Sequence, residues 1–125
     1  MIPGMEIIRQ VLVFDAPDLH TESTFWASLL GGTVEAEDDW HTIRVDGQEV
    51  LGVQLAPNHI PPQWPDGQPQ QLHLDLMIED LDEAHAEAMA LGASLLQVSP
   101  DPKAAHGFQV YADPAGHPFC LCWGD

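Results

Sequence analysis

The strongest constraint on this 125-residue chain is a pattern that runs twice, strand–helix–strand–strand–strand, on either side of a proline-rich stretch. In the first half, the apolar run 7–14 reads as a strand that ends at a turn over 15–18. Asp18 is placed to cap a helix whose apolar face carries Leu19, Trp26 and Leu30 with small Ser23 between, stopped by Gly31 and Gly32. Strands follow at 33–37, 40–45 and 49–56, the last two joined by the hairpin signal Asp46-Gly47. Residues 57–69 hold Pro57, Pro61, Pro62, Pro65 and Pro69 and can be neither helix nor central strand. The pattern then restarts. A strand is expected at 71–79, and Asp80 with Glu83 makes a capping box. Leu81, Ala84, Ala88 and Leu91 form a helical stripe closed by Gly92. Strands at 94–99, 108–112 and 118–123 complete the half, the last two joined by a turn over Asp113, Pro114, Ala115 and Gly116. One domain is expected, with modules at about 5–56 and 70–125 and a linker at 57–69.

Successive side chains on a strand point to opposite faces. Leu72, Leu74, Leu76 and Ile78 therefore share one face, and His73, Asp75 and Met77 the other. On the last strand, Phe119, Leu121 and Trp123 oppose Cys120 and Cys122. If the helices cover the Leu and Phe faces, His73, Asp75, Cys120 and Cys122 look into whatever the opposite face encloses. The predicted core is Leu72, Leu74, Leu76, Ile78, Leu81, Ala88, Leu91, Phe119 and Leu121.

Charge narrows the partners. The formal net charge is −17, with 20 acidic residues against Arg9, Arg44 and Lys103. Such a surface repels phosphate backbones and anionic lipids, so neither nucleic acid nor membrane is an expected partner. No apolar run approaches the roughly 20 residues needed to span a bilayer, and the N-terminus has no secretory pattern. Cys120 and Cys122, two apart on one strand, are poorly placed to bond to each other. Two free thiols suit a reducing compartment, and a cytoplasmic location is expected. There is no phosphate-binding glycine loop and no nucleophile elbow.

Several stretches resemble the vicinal oxygen chelate superfamily of glyoxalases, bleomycin-resistance proteins and dioxygenases, in particular its glyoxalase-like subgroup. They are HLDL at 73–76, IEDLDEA at 78–84 with LGA at 91–93, DPAGHPFCL at 113–121, and Phe25-Trp26 ahead of Leu30-Gly31. The resemblance implies an α+β fold of two βαβββ modules, a mixed sheet curled around a cavity with the helices outside. It also implies a homodimer, in some members with modules paired across chains. Metal-dependent members place a ligand on the first and last strand of each module. Here those positions match His73 and Cys120 in the second module and Gln54 in the first. The remaining position falls on Gln10, the chemically apt residue, or on Val11, which counting back from Asp18 favours.

That set would serve a divalent ion such as Zn²⁺, Ni²⁺, Mn²⁺ or Fe²⁺, but it lacks the carboxylate that balances a cation and acts as base, for which Asp75 on the His73 face could compensate at a different depth. The expected function is therefore binding of a small apolar or aromatic molecule in a cavity, with no metal required. The alternative is a metal-dependent lyase, isomerase or dioxygenase using His73. The expected cavity residues are His73, Asp75, Met77, Trp40 and Cys122. Trp40 and Trp64 are candidates for its mouth, with edge packing the plainer alternative. His20, His41, His59, His85, His106 and His117 lack ligand spacing and are expected as solvated polar side chains. No catalytic residue is assigned.

Overall fold

The computed structural model describes residues 11–64 and 72–124. Their order is β1 (Leu12–Ala16), α1 (Leu19–Leu30), β2 (Thr33–Ala36), β3 (Trp40–Val45), β4 (Gln48–Leu55), β5 (Leu74–Met77), α2 (Leu81–Leu91), β6 (Ser94–Gln97), β7 (Gly107–Ala112) and β8 (Pro118–Trp123). Two four-stranded sheets result, ordered β1-β4-β3-β2 and β5-β8-β7-β6. In each, the first strand runs parallel to the last and the other pairs are antiparallel. The fold is thus α+β, two βαβββ modules of curled mixed sheet, with no closed barrel.

Local chemistry sets the element ends. The Asp18 carboxylate accepts from the Thr21 amide at 3.1 Å, and that of Asp80 from the Glu83 amide at 3.2 Å. Each satisfies an amide left over by its first helical turn. Both helices close on a left-handed glycine, Gly31 and Gly92, a conformation that a Cβ would strain. Asp46 and Gly47 both take positive φ, as a tight hairpin turn requires.

The core lies between the helices and the inner faces of the sheets, and it is continuous across the modules. Phe25 and Trp26 of α1 meet Phe119 of β8 with ring centroids 5.9 and 5.2 Å apart, and Tyr111 stacks on Phe119 at 5.6 Å. All four rings are buried. Truncation of one such ring to alanine typically costs about 3–5 kcal/mol.

Four expectations need correction. Leu72 is 76% exposed, because β5 begins only at Leu74 and an alternation rule has no force outside the strand. Leu74, Leu76, Ile78, Leu81 and Leu91 are half-buried against the core, whereas Ala88, Phe119 and Leu121 are fully buried. Trp123 is half-buried at the end of its sheet, lying over Gly107 and donating its indole N–H to the Ala104 carbonyl at 3.0 Å. β1 continues to Ala16, two residues past the predicted end. Residues 7–10, Gln10 among them, lie outside the described residues.

Candidate functional site

On the second sheet, Asp75 stands opposite Cys120, and Cys120 opposite Val110. His73, two residues before Asp75, falls on the same face. One nitrogen of His73, one oxygen of Asp75 and the Cys120 sulfur all lie within 4.8 Å of one another. His73 Nε2 is 3.2 Å from Asp75 Oδ1. These groups form the polar corner of a hollow of about 290 Å³, whose apolar walls include Phe108 and Val110 and whose rim carries Trp64. The Trp64 indole is held there by donating to Gln97 Oε1 at 3.3 Å. Cys122 also lines the hollow. Cys120 stands opposite Asp75 in the strand register, and both thiols line the hollow beside its carboxylate. Burial, reinforced by the Asp75 charge, pushes the Cys120 thiol up to about 12 and raises that of Cys122. Both cysteines are free.

The other candidates lie elsewhere. Met77 is 65% exposed and does not line the hollow. Trp40 and Gln54 face each other on the first sheet. There the Trp40 ring covers Gly52, where any Cβ would collide with it, and its indole N–H donates to Thr42 Oγ1 at 3.0 Å. Strand register aligns the two modules. Asp15 pairs with Gln54 as Asp75 pairs with Cys120, so the counterpart of His73 is Val13. The first-strand position of the first module is then a hydrocarbon. That match takes Gln54 as the counterpart of Cys120; counting back from the helix caps Asp18 and Asp80 gives Val11 instead, also a hydrocarbon.

A second cluster joins the modules. Glu22 and Trp26 of α1 meet Asp113 and His117 of the β7–β8 hairpin. The Trp26 indole donates to Asp113 at 2.8 Å and to Glu22 at 3.2 Å. His117 Nδ1 lies 2.7 Å from Asp113 and 3.0 Å from Glu22. The Ala115 amide donates to both carboxylates, and the His117 amide to Asp113. Burial raises Glu22 to about 7, with Asp113 reinforcing and His117 opposing the shift. Burial works against the His117 charge, but its hydrogen bonds to Asp113 and Glu22 outweigh this and lift it to about 9. Burial likewise opposes ionisation of Asp113, yet its donors hold it below the usual carboxylate range. Asp113 is thus the ionised partner, and Glu22 is the carboxyl that takes up a proton. Both carboxylates and His117 Nδ1 meet other members, so the arrangement is a clasp between modules, while His117 also lines the crevice of Leu12, Phe14 and Leu74.

Sequence reasoning gave His117 a solvated role and passed over Glu22. His41, His59 and His85 are also engaged, with Ser23 Oγ, the Ala115 carbonyl and Tyr111 Oη, at 2.8, 2.8 and 2.7 Å. The one available signal was Glu22 at helical spacing from Trp26, a carboxylate on the buried stripe.

The geometry has counterparts among known proteins. The fosfomycin resistance protein FosX from Listeria monocytogenes superposes with a TM-score of 0.70 at 16% identity, covering 100% of this chain and 96% of that one. FosX from Mesorhizobium loti gives 0.66 at 14% identity, covering 100% and 95%. A glyoxalase/bleomycin resistance protein/dioxygenase family enzyme from Burkholderia phytofirmans gives 0.67 at 16%, covering 90% and 95%. Identities this low speak for the fold alone. No curated protein matches the chain significantly in sequence. The family model described as a glyoxalase-like domain matches residues 11–122. The chain belongs to the glyoxalase-like domain family of the vicinal oxygen chelate superfamily.

Proposed function

We propose that this protein binds a small planar, neutral or cationic aromatic molecule in the hollow of its second module. The observation that carries the reading is a concavity with apolar and aromatic walls, Phe108, Val110 and Trp64, and one polar corner, His73 with Asp75. Binding sites commonly combine apolar walls for affinity with a few polar groups for orientation. Among the described residues no lysine or arginine lines the hollow, and the chain carries a formal charge of −17, so anionic ligands are disfavoured. A cation would gain from Asp75 and from the aromatic faces.

The test is a fluorescence titration with the neutral dye Nile red on protein stripped of metal with EDTA. Saturable enhancement is expected, weakened at least about fivefold in Phe108→Ala, because an exposed aromatic wall contributes roughly 1 kcal/mol or more. Val50→Ala, on the first sheet, should leave the affinity unchanged. Equal affinity in Phe108→Ala and wild type would reject the reading. The second reading, metal-dependent lyase, isomerase or dioxygenase chemistry at His73, draws its support from the gathering of His73, Asp75 and Cys120.

A further inference from the structure

We propose that His73, Asp75 and Cys120 make a metal site contained within the second module, for a thiophilic divalent ion of the Zn²⁺ class. One coordination position would open to the hollow. The site shares that hollow with the proposed aromatic ligand but does not depend on such a ligand.

Two features separate this site from the superfamily pattern of ligands drawn from both modules. The first-module counterpart of His73 is a valine, Val13 by the Gln54–Cys120 match or Val11 by the helix caps, and neither has a donor atom. Gln54 belongs to the other sheet, in register with Asp15 and Trp40, and its neutral amide is a weak ligand. The second module instead supplies nitrogen, oxygen and sulfur together. The parallel register brings Cys120 beside Asp75, and His73, one residue ahead of β5, turns to the same side with its Nε2 3.2 Å from Asp75. Ligands bound about 2.0–2.3 Å from one tetrahedral ion stand roughly 3.5 Å apart. The His73–Asp75 separation is already 3.2 Å, and all three donors fall within 4.8 Å. Small side-chain rotations would close the shell.

The mixed donor set selects the ion. Mg²⁺ and Ca²⁺ want oxygen alone, whereas Zn²⁺ accepts imidazole, carboxylate and thiolate together. Asp75 supplies the anionic oxygen that the superfamily-position set lacks. Cys122 is the positioning residue, since it lines the same hollow as Asp75 and its thiol can support that carboxylate from outside the ligand set.

The test is a Co²⁺ titration of the reduced, EDTA-stripped protein without dye, read by the near-ultraviolet thiolate-to-cobalt charge-transfer band and by competition with Zn²⁺. One equivalent should saturate the band. Cys120→Ser should abolish it. His73→Ala and Asp75→Asn should weaken Co²⁺ binding at least about tenfold, a loss seen even for partners of ligands. Cys122→Ser should keep the band with a smaller loss of affinity, and Gln54→Ala should change nothing. His73 and Asp75 are half exposed, so their variants carry the test if buried Cys120→Ser fails to fold. Absence of a saturable band, an undiminished band in His73→Ala, or a loss in Gln54→Ala matching that in His73→Ala would overturn the proposal. The dye titration is run without metal, so either proposal can fail alone.

Discussion

The Trp26 indole nitrogen donates to the Asp113 carboxylate at 2.8 Å, joining residues 87 positions apart. This contact ties the helix of the first module to the closing hairpin of the second. Both partners are buried, so deleting the indole N–H takes a donor from two buried carboxylates, Asp113 and Glu22. Trp26→Phe keeps the ring and deletes the N–H. It should cost about 1–3 kcal/mol in urea unfolding, with the m-value unchanged if the modules still unfold together.

The clasp should give stability a particular pH dependence. His117 rises from 6.5 to about 9 on folding, so its contribution is complete below 6.5 and is lost as pH climbs through 9. Glu22 rises from 4.5 to about 7, so its contribution is complete below 4.5 and fades as pH climbs through 7. Asp113 is lowered from 3.8, so its contribution is present above 3.8 and lost as pH falls toward its folded value. Melting temperature should therefore peak between about pH 4 and 6 and decline toward pH 9. For His117 the decline is on the order of 2–3 kcal/mol. His117→Gln should lower the peak and flatten the decline between pH 7 and 9. An unchanged slope in that variant would remove His117 as its source.

Leu74 shows how far periodicity reaches. Alternation placed it on the core face and implied a full truncation cost of roughly 2–5 kcal/mol. It is half-buried against the core, so Leu74→Ala should cost only about 1–2 kcal/mol, whereas Phe119→Ala should cost about 3–5 kcal/mol. Equilibrium denaturation of both variants checks the order.

The fold was legible because its signals are local: caps at Asp18 and Asp80, glycine stops, the Asp46-Gly47 turn and the alternation of β5 and β8. The meeting of Asp75 with Cys120 follows once the parallel pairing of β5 with β8 is known, whereas His73 joins them from just outside β5. What could not be read is set by contacts between modules. Nothing periodic links Glu22 to His117, 95 positions apart. Leu72 escaped because alternation does not say where a strand begins. Gln10 lies outside the described residues, and the first-module counterpart of His73 is Val11 by the helix caps but Val13 if Gln54 is matched to Cys120.

We expect the protein to form a homodimer. β1, β2, β5 and β6 are sheet edges among the described residues, and Leu12 and Val13 near one edge are 38% and 39% exposed. Such edges invite pairing with a second copy. Sedimentation velocity at micromolar concentration should give a single species of twice the 13.7 kDa chain mass. A monomer under those conditions would contradict the expectation.

The most direct test of ligand binding in the second module is a ¹H–¹⁵N correlation spectrum of the metal-free protein, titrated with neutral and cationic planar fragments of the naphthalene, quinoline and acridine types. Saturating shifts should concentrate on Trp64, including its indole N–H, and on His73, Asp75, Phe108, Val110 and Cys120. The Trp40 indole on the first sheet should stay still. Shifts confined to the crevice of Leu12, Phe14 and Leu74, or none that saturate, would contradict the proposed site.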